Sequence, residues 1–241
     1  IHNVVNEVRL LWAGIDILVN NTEGCFRSVV APMDVDSEMV QLKTNYLGPM
    51  TLVRALLPVM REQGQGQIIN VSSASGIVAM PTMASYSASK YALEGASEAL
   101  WYETRPFGIK VTLVQPGFIR SNAFSHVVLS KKAQISAKLA GPHSEYYDSM
   151  GPVVEHLMGW SFVNYVDVAR KIIKLFEQRD PPLRVSVTID AVLFKWLRWI
   201  LPAPVFHRLI LFMLPGSGKW GSAKKKNAAR ASGPPNASTA A

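Results

Sequence analysis

One cysteine, Cys25, stands among the 241 residues, which excludes an internal disulfide framework and fits a reducing compartment. Charge is also sparse. Asp, Glu, Lys and Arg make up 17% of the chain against 49% hydrophobic residues, which excludes a disordered polyelectrolyte. The opening "IHNVVNEVRLLW" lacks a basic segment followed by an apolar run, so it is no signal peptide. It reads as an amphipathic helix entered within a fold, and the chain is expected to be truncated at its N-terminus. No uninterrupted apolar run is long enough to span a bilayer: residues 191–214 are broken by Pro202 and Pro204 and carry Lys195, Arg198 and Arg208. Internal repeats are absent, and so is any cluster of metal-ligand spacing, so no metal is expected. A glycine-rich phosphate loop is missing too. Gly64–Gly66 reads as a hairpin-like turn, and "LPGSGKW" places Trp220 where a P-loop requires Ser or Thr.

What charge there is lies at one end. Residues 1–189 hold 17 Lys and Arg against 16 Asp and Glu, whereas residues 190–241 hold 8 against 1, and together they give the net +8. A nearly neutral body without interleaved basic and aromatic residues excludes nucleic acid as a partner. The positive tail suits anionic lipid or solubility.

Short apolar runs alternate with helical patterns, which predicts a parallel α/β sheet covered on both faces. Strands are expected at 15–20, 66–72, 109–117 and 183–189. Helices are expected at 1–13, 36–62 (capped by Asp36 or Ser37), 84–105 and 166–178. Residues 122–165 read as irregular, and "KKKNAARASGPPNASTAA" from Lys224 onward as low-complexity disorder. A strand such as 15–20 makes an unlikely natural sheet edge. The expected fold is therefore the C-terminal part of a doubly wound, Rossmann-type parallel sheet, with the first βαβαβ half absent. The expected divisions are a partial domain at 1–190, amphipathic apolar helices at 191–218, and a basic disordered tail at 219–241.

Five stretches in order carry a resemblance: "ILVNN", "TNYLG", "NVSSASG", "YSASK" and "VQPGFIRS". Over about residues 1–190 the chain resembles the short-chain dehydrogenase/reductase family, in its steroid- and retinol-dehydrogenase-like subgroup. The chemistry accounts for the residue types. Moving a hydride between an alcohol and a nicotinamide requires a group that exchanges the hydroxyl proton in step, and a free tyrosine, with a pKa near 10, is a poor base at neutral pH. Lys90 follows Tyr86 by one helical turn on the same face, and with an oxidised nicotinamide it is expected to favour the phenolate. The resemblance implies that Ser73 holds the substrate oxygen, with its neighbour Ser72 the weaker candidate. It also implies that Asn45 disturbs its helix and orders a water linked to Lys90.

The resemblance further implies NAD or NADP as cofactor, with Asn20 on the adenosine side and Tyr86, Lys90, Pro116, Gly117, Ile119 and Ser121 at the nicotinamide end. Without the phosphate loop the sequence does not choose between the two nucleotides. Where the family continues Asn-Asn-Ala-Gly, this chain has Asn20-Asn21-Thr22-Glu23. Glu23 would bring bulk and negative charge near a phosphate-bearing ligand, although Gly24 could restore the turn.

Phe124, Tyr146, Tyr147, Met150, Met158 and Trp160 make the stretch over the expected substrate position apolar. That stretch is either a self-packed lid or a pocket for a lipophilic alcohol or ketone. The leading function is an NAD(P)-dependent oxidoreductase on such a substrate, in the cytoplasm or at a membrane. The alternatives are a catalytically weak or inactive binding protein of the same fold and a peripheral membrane-surface protein. Peripheral membrane contact and a homodimer or homotetramer stay open as partners. The helices of 191–214 are expected to lie on a membrane surface or, slightly favoured, to pack on the fold.

Overall fold

The computed structural model describes residues 5–7, 14–121, 127–138 and 143–220. Its main sheet is parallel, with strands β1 (Ile17–Asn20), β3 (Gly66–Val71), β4 (Ile109–Gln115) and β6 (Arg184–Ser186) in the order β1-β3-β4-β6. A short second pair joins β2 (Phe26–Arg27) to β5 (Val128–Leu129). Eight α-helices among the described residues complete the chain: α1 (Val35–Leu42), α2 (Gly48–Gln63), α3 (Ala84–Thr104), α4 (Lys131–Lys138), α5 (Ser144–Trp160), α6 (Tyr165–Phe176), α7 (Ile189–Ile200) and α8 (Ala203–Met213).

Successive side chains of a strand face opposite ways, and the adjacent Ile68 and Ile69 of β3 show what that does here. Ile68 packs with Met50, Val53 and Met60 of α2, Leu93 and Leu100 of α3, and Val111 and Leu113 of β4. Ile69 joins the opposite layer, with Val114 of β4, Val185 of β6, and Val168 and Leu175 of α6. A third cluster lies beyond the sheet, where Phe194 of α7 and Phe206 and Ile210 of α8 cover Ile77 and Val78. The α/β fold with a parallel sheet and helices on both faces is therefore present.

The long helix expected at 36–62 is one helical rod with an interruption. Between α1 and α2, residues Lys43–Leu47 form a π-helical turn that holds Asn45. The cap is Asp34, not Asp36 or Ser37: its extended backbone lets its carboxylate accept the Ser37 N–H at 2.8 Å. Gly64 closes α2 at φ 67°, and the strand that follows runs parallel to its neighbours, so Gly64–Gly66 is a helix-to-strand turn rather than a hairpin. Residues 122–165 are largely helical within their described part, in contrast to the irregular stretch expected. Gly151 and Pro152 lie inside α5 and blur its pattern, yet the helix runs through them.

β1 stands at the end of the sheet, bonded to β3 from Ile17–Gln67 to Asn20–Asn70. Helix α6 opens on a capping box of Asn164 and Asp167. Pro202 separates α7 from α8. Among the described residues no helix is long and apolar enough to cross a membrane. Most of the expected N-terminal helix, Phe124 and the tail from residue 221 lie outside the described residues.

Candidate active site

The carboxyl ends of β1, β3 and β4 open towards the same side, where ligands of open α/β sheets bind. The turns that leave them, together with α5, α6, α7 and α8, enclose a cavity of about 620 Å³. Ser73, Tyr86, Pro116, Gly117 and Ile119 line it, as do Glu23 and Cys25. Asn20, Asn45 and Lys90 are buried behind that wall rather than part of it. Ser121 is outside the lining too.

Ser73 leaves β3 in an extended conformation and starts a short 3-10 turn, Ala74–Gly76, with its hydroxyl accepting the Ser75 N–H at 3.1 Å. Ser72 also lines the cavity but is more deeply buried. Its buried Oγ has no hydrogen-bond partner, and a Cβ on Gly76 would sit 2.8 Å from it. Both serines thus border the cavity, and Ser73 is the less buried of the two. Tyr86 lies in the first turn of α3, and its ring is almost wholly buried. Lys90, one turn later, has no exposed surface and donates to the Val71 carbonyl at 3.1 Å. Its Nζ lies 5.7 Å from the centre of the Tyr86 ring.

Asn45 takes its place from the π turn. Its amide donates to the Gly24 carbonyl at 2.8 Å and to Ser89 Oγ at 3.0 Å, while its oxygen accepts the Gly24 N–H at 2.8 Å. It therefore clamps the loop after β1 onto α3. Asn20 donates to Asn70 Oδ1 at 2.8 Å, and Asn70 donates in turn to Ser97 Oγ at 2.8 Å, which ties β1, β3 and α3 together. Another network braces the middle of α3. Buried Glu94 accepts from Arg184 Nε at 2.8 Å and from Gln115 Nε2 at 2.9 Å.

The electrostatics correct one expectation. The Tyr86 phenol is held well above its ordinary pKa, first by burial and then by the charge and hydrogen bond of Glu23, with hydrogen bonding to Ser73 acting the other way. Tyr86 Oη donates to Glu23 Oε1 at 2.6 Å. Burial lowers the Lys90 pKa, against which Glu23, Cys25 and Glu94 favour the ammonium. The Cys25 thiol is pushed up to about 12 by burial first and Glu23 second. Glu23 therefore acts on the phenol itself. The residue count from Asn20 marks its position in the loop; only the folded loop shows which atom its carboxylate reaches.

The turn after β4 holds a second feature that sequence reasoning missed. Gly117 N–H donates to Thr188 Oγ1 and Phe118 N–H to Asp190 Oδ2, both at 2.9 Å. A Cβ on Gly117 would collide with Asp190. Thr188 and Asp190 sit at the junction of β6 and α7, some seventy residues away, and nothing local in the sequence pairs them with a glycine.

Of the apolar residues expected over the substrate, Met150 and Met158 line the cavity. Tyr147 is buried and accepts the Val29 N–H at 3.1 Å, Tyr146 stacks on Trp220, and Trp160 faces solvent. Met80, Met83, Val153, Leu157, Phe194 and Met213 form much of the remaining wall. Among the described residues no group of His, Cys, Asp or Glu is arranged to hold a metal ion.

A nicotinamide cofactor is testable against these residues. Ser73 and Tyr86 face one cavity beside Gly117, and Lys90 stands one turn behind the phenol, which fits that group. The Glu23 carboxylate is already bonded to the phenol oxygen that the chemistry needs.

Comparison with known proteins bears on the family and the fold. The family model described as short chain dehydrogenase matches residues 1–132. Over 207 residues the chain is 37% identical to a 3-ketodihydrosphingosine reductase of Bacteroides thetaiotaomicron, covering 82% of this chain and 72% of that protein. It is 31% identical to Oxidoreductase BOA17 of Botryotinia fuckeliana, covering 74% of this chain and 63% of that protein. The chain thus spans somewhat less than two thirds of one of these relatives and somewhat more of the other. A crystal structure of a short-chain dehydrogenase from Streptomyces avermitilis superposes with a TM-score of 0.70 at 27% identity, over 96% of this chain and 75% of that one. A short-chain dehydrogenase/reductase from Burkholderia phymatum in complex with NAD shares the fold, with a TM-score of 0.66 at 16% identity over 82% and 70% of the two chains.

Proposed function

This chain belongs to the short-chain dehydrogenase family, and from that premise we propose that it interconverts a lipophilic alcohol and its ketone or aldehyde with NAD or NADP. The carrying observation is that Ser73 and Tyr86 sit together in a cavity whose other walls are mainly Met, Val, Leu and Phe side chains. The relatives support the same reading: one is named for the reduction of a long-chain ketone, and one fold neighbour is described in complex with NAD.

A bound nicotinamide supplies or accepts the hydride. Ser73 Oγ holds the substrate oxygen, and Tyr86 Oη gives it a proton during reduction or takes one during oxidation. Lys90, fixed by the Val71 carbonyl, favours the phenolate when the tyrosine has given up its proton. Asn45 holds the Gly24 loop against α3 and so keeps Glu23 and Tyr86 in register. Asn20 ties the end of β1 to β3, while Pro116, Gly117 and Ile119, with Ser121 just beyond the lining, would hold the nicotinamide end of the cofactor. The apolar walls exclude water and give a hydrocarbon substrate its binding energy. As substrate enters, the phenol's hydrogen bond passes from Glu23 to the substrate oxygen.

The test is cofactor-linked turnover of 3-ketodihydrosphingosine beside a small polar ketone, with NADH and with NADPH. The long-chain ketone should be preferred, and Tyr86→Phe should reduce its turnover by about 10²-fold or more with little change in stability. Wild-type turnover by Tyr86→Phe would refute the site. The Glu23–Tyr86 bond favours a second reading, a lipophile-binding protein with weak or no turnover. Under that reading wild type binds the long-chain ketone without oxidising or reducing it.

A further inference from the structure

Helices α7 and α8 have two differently used faces. Phe194, Phe206 and Ile210 turn inward against Ile77 and Val78 and hold the pair on the fold. The outward face is also apolar. Trp196, Trp199, Ile200, Leu211 and Phe212 are all exposed, with Trp199 at 77% and Phe212 at 85%. Surface apolar residues scattered singly need no explanation, but five on two adjoining short helices form a patch.

Charge says what covers that patch. After Asp190 the sequence contains no acidic residue at all, while Lys195, Arg198, Arg208, Lys219, Lys224, Lys225, Lys226 and Arg230 follow. Lys195 and Arg208 are exposed on α7 and α8 themselves, next to the aromatic residues. Arg198 is turned inward, donating to the Ile77 carbonyl at 2.8 Å and to Tyr91 Oη at 3.0 Å. A second copy of the chain would bring the same uncompensated cations to the patch, and like charges would meet. A surface carrying negative headgroups over hydrocarbon satisfies both the tryptophans and the cations. Tryptophan favours that boundary, and Lys and Arg near an anionic surface are attracted to it.

Position adds a further argument. Phe194, Ile210, Met213, Leu214 and Pro215 belong to the cavity wall, so the helices bearing the patch also wall the cavity. We propose that the outer face of α7 and α8 docks on an anionic lipid bilayer, lying in the interface without crossing it, with the cavity beside the lipid surface. The length of each helix agrees: twelve and eleven residues are too short to span, and both are amphipathic. The docking does not rest on the oxidoreductase reading and stands even if the chain turns nothing over.

The experiment is co-sedimentation of the full chain with phosphatidylcholine vesicles, with and without phosphatidylserine, at low and high salt. Binding should require phosphatidylserine and weaken with salt. Trp199→Ser and Phe212→Ser should each reduce the partition coefficient by about tenfold, as expected for loss of a partly buried aromatic group. Lys195→Gln and Arg208→Gln should each reduce it by about fivefold. All four positions are exposed, and unchanged circular dichroism would show the variants folded. Three outcomes overturn the proposal. One is no binding to phosphatidylserine vesicles. Another is binding untouched by the two aromatic substitutions but lost on deleting residues 221–241, which puts the contact in the tail. The last is a dimer that the aromatic substitutions dissociate, which makes the patch an interface between copies.

Discussion

Replacing Glu23 by Gln removes a negative charge from the phenol while keeping the size of the side chain and an oxygen that can accept from it. Tyr86 Oη now donates to a carboxylate at 2.6 Å, and that charge opposes formation of a phenolate beside it. A hydrogen bond to a charged group contributes about 1.5–3 kcal/mol and one to a neutral group about 0.5–1.5 kcal/mol. Glu23 is exposed, so solvent screens its charge and the lower end applies: a difference of about 1 kcal/mol. One factor of ten is about 1.4 kcal/mol, so the ratio of phenolate to phenol at fixed pH should rise by about fivefold. Ionisation of Tyr86 therefore moves to lower pH in Glu23→Gln, and the rising limb of any alcohol oxidation moves with it. Stability follows the same sign. The phenol's raised pKa stabilises the fold fully below the ordinary tyrosine pKa of about 10, and that share is lost as pH rises further; in the variant the share is smaller. Ultraviolet difference titration of tyrosinate, taken as each protein minus its Tyr86→Phe counterpart, isolates this one ring. Titration of Tyr86 at the same or higher pH in Glu23→Gln would refute the account.

Cys25, with its thiol pushed up to about 12, should react with a disulfide reagent at pH 8 about 10³-fold more slowly in the folded protein than after denaturation; equal rates would refute its burial. Arg184→Met leaves Glu94 buried with Gln115 as its remaining partner here, and should cost about 2–3 kcal/mol in urea unfolding, discounted because Arg184 is itself partly exposed. Glu98→Gln, an exposed partner of the same arginine, should cost less than about 1 kcal/mol, and the reverse ranking would be wrong for this network. Gly64→Ala and Gly108→Ala both place a side chain at positive φ, but only at Gly108 would the new Cβ meet backbone, the Gly64 carbonyl oxygen. Gly64→Ala should therefore cost about 1 kcal/mol and Gly108→Ala clearly more; equal losses in thermal unfolding would refute the steric argument.

The parts of the fold legible in sequence were those with a local physical signature. β3 and β4 are short runs buried on both faces, and apolar continuity reports that. The Tyr86–Lys90 spacing was legible because a helix fixes which face residues four apart share. The end of α2 and the start of α1 were less so, since Asp34 caps from outside the apolar pattern, and its competitors Asp36 and Ser37 are equally good residue types. Helix α5 was missed because Gly151 and Pro152 argue against helix locally, and packing overrides them. The direction of the Tyr86 pKa was also not legible. Sequence spacing places a cation near the ring, but burial and the Glu23 carboxylate depend on a loop that comes 63 residues earlier. Asp190 against Phe118 is hidden for the same reason: it is a contact between distant turns, with no pattern of its own.

The π turn at Lys43–Leu47 amounts to one residue more than an α-helix would use over the same length. Each residue of an α-helix advances the chain by about 100°, so deleting a single residue there would leave a regular, well-formed helix. It would also swing Met50, Val53 and Met60 about 100° away from Ile68, and withdraw Asn45 from Gly24 and Ser89. Local regularity and global fit are opposed at this point in the chain. A one-residue deletion tolerated in an exposed loop would here separate the core of the sheet from the site at its edge.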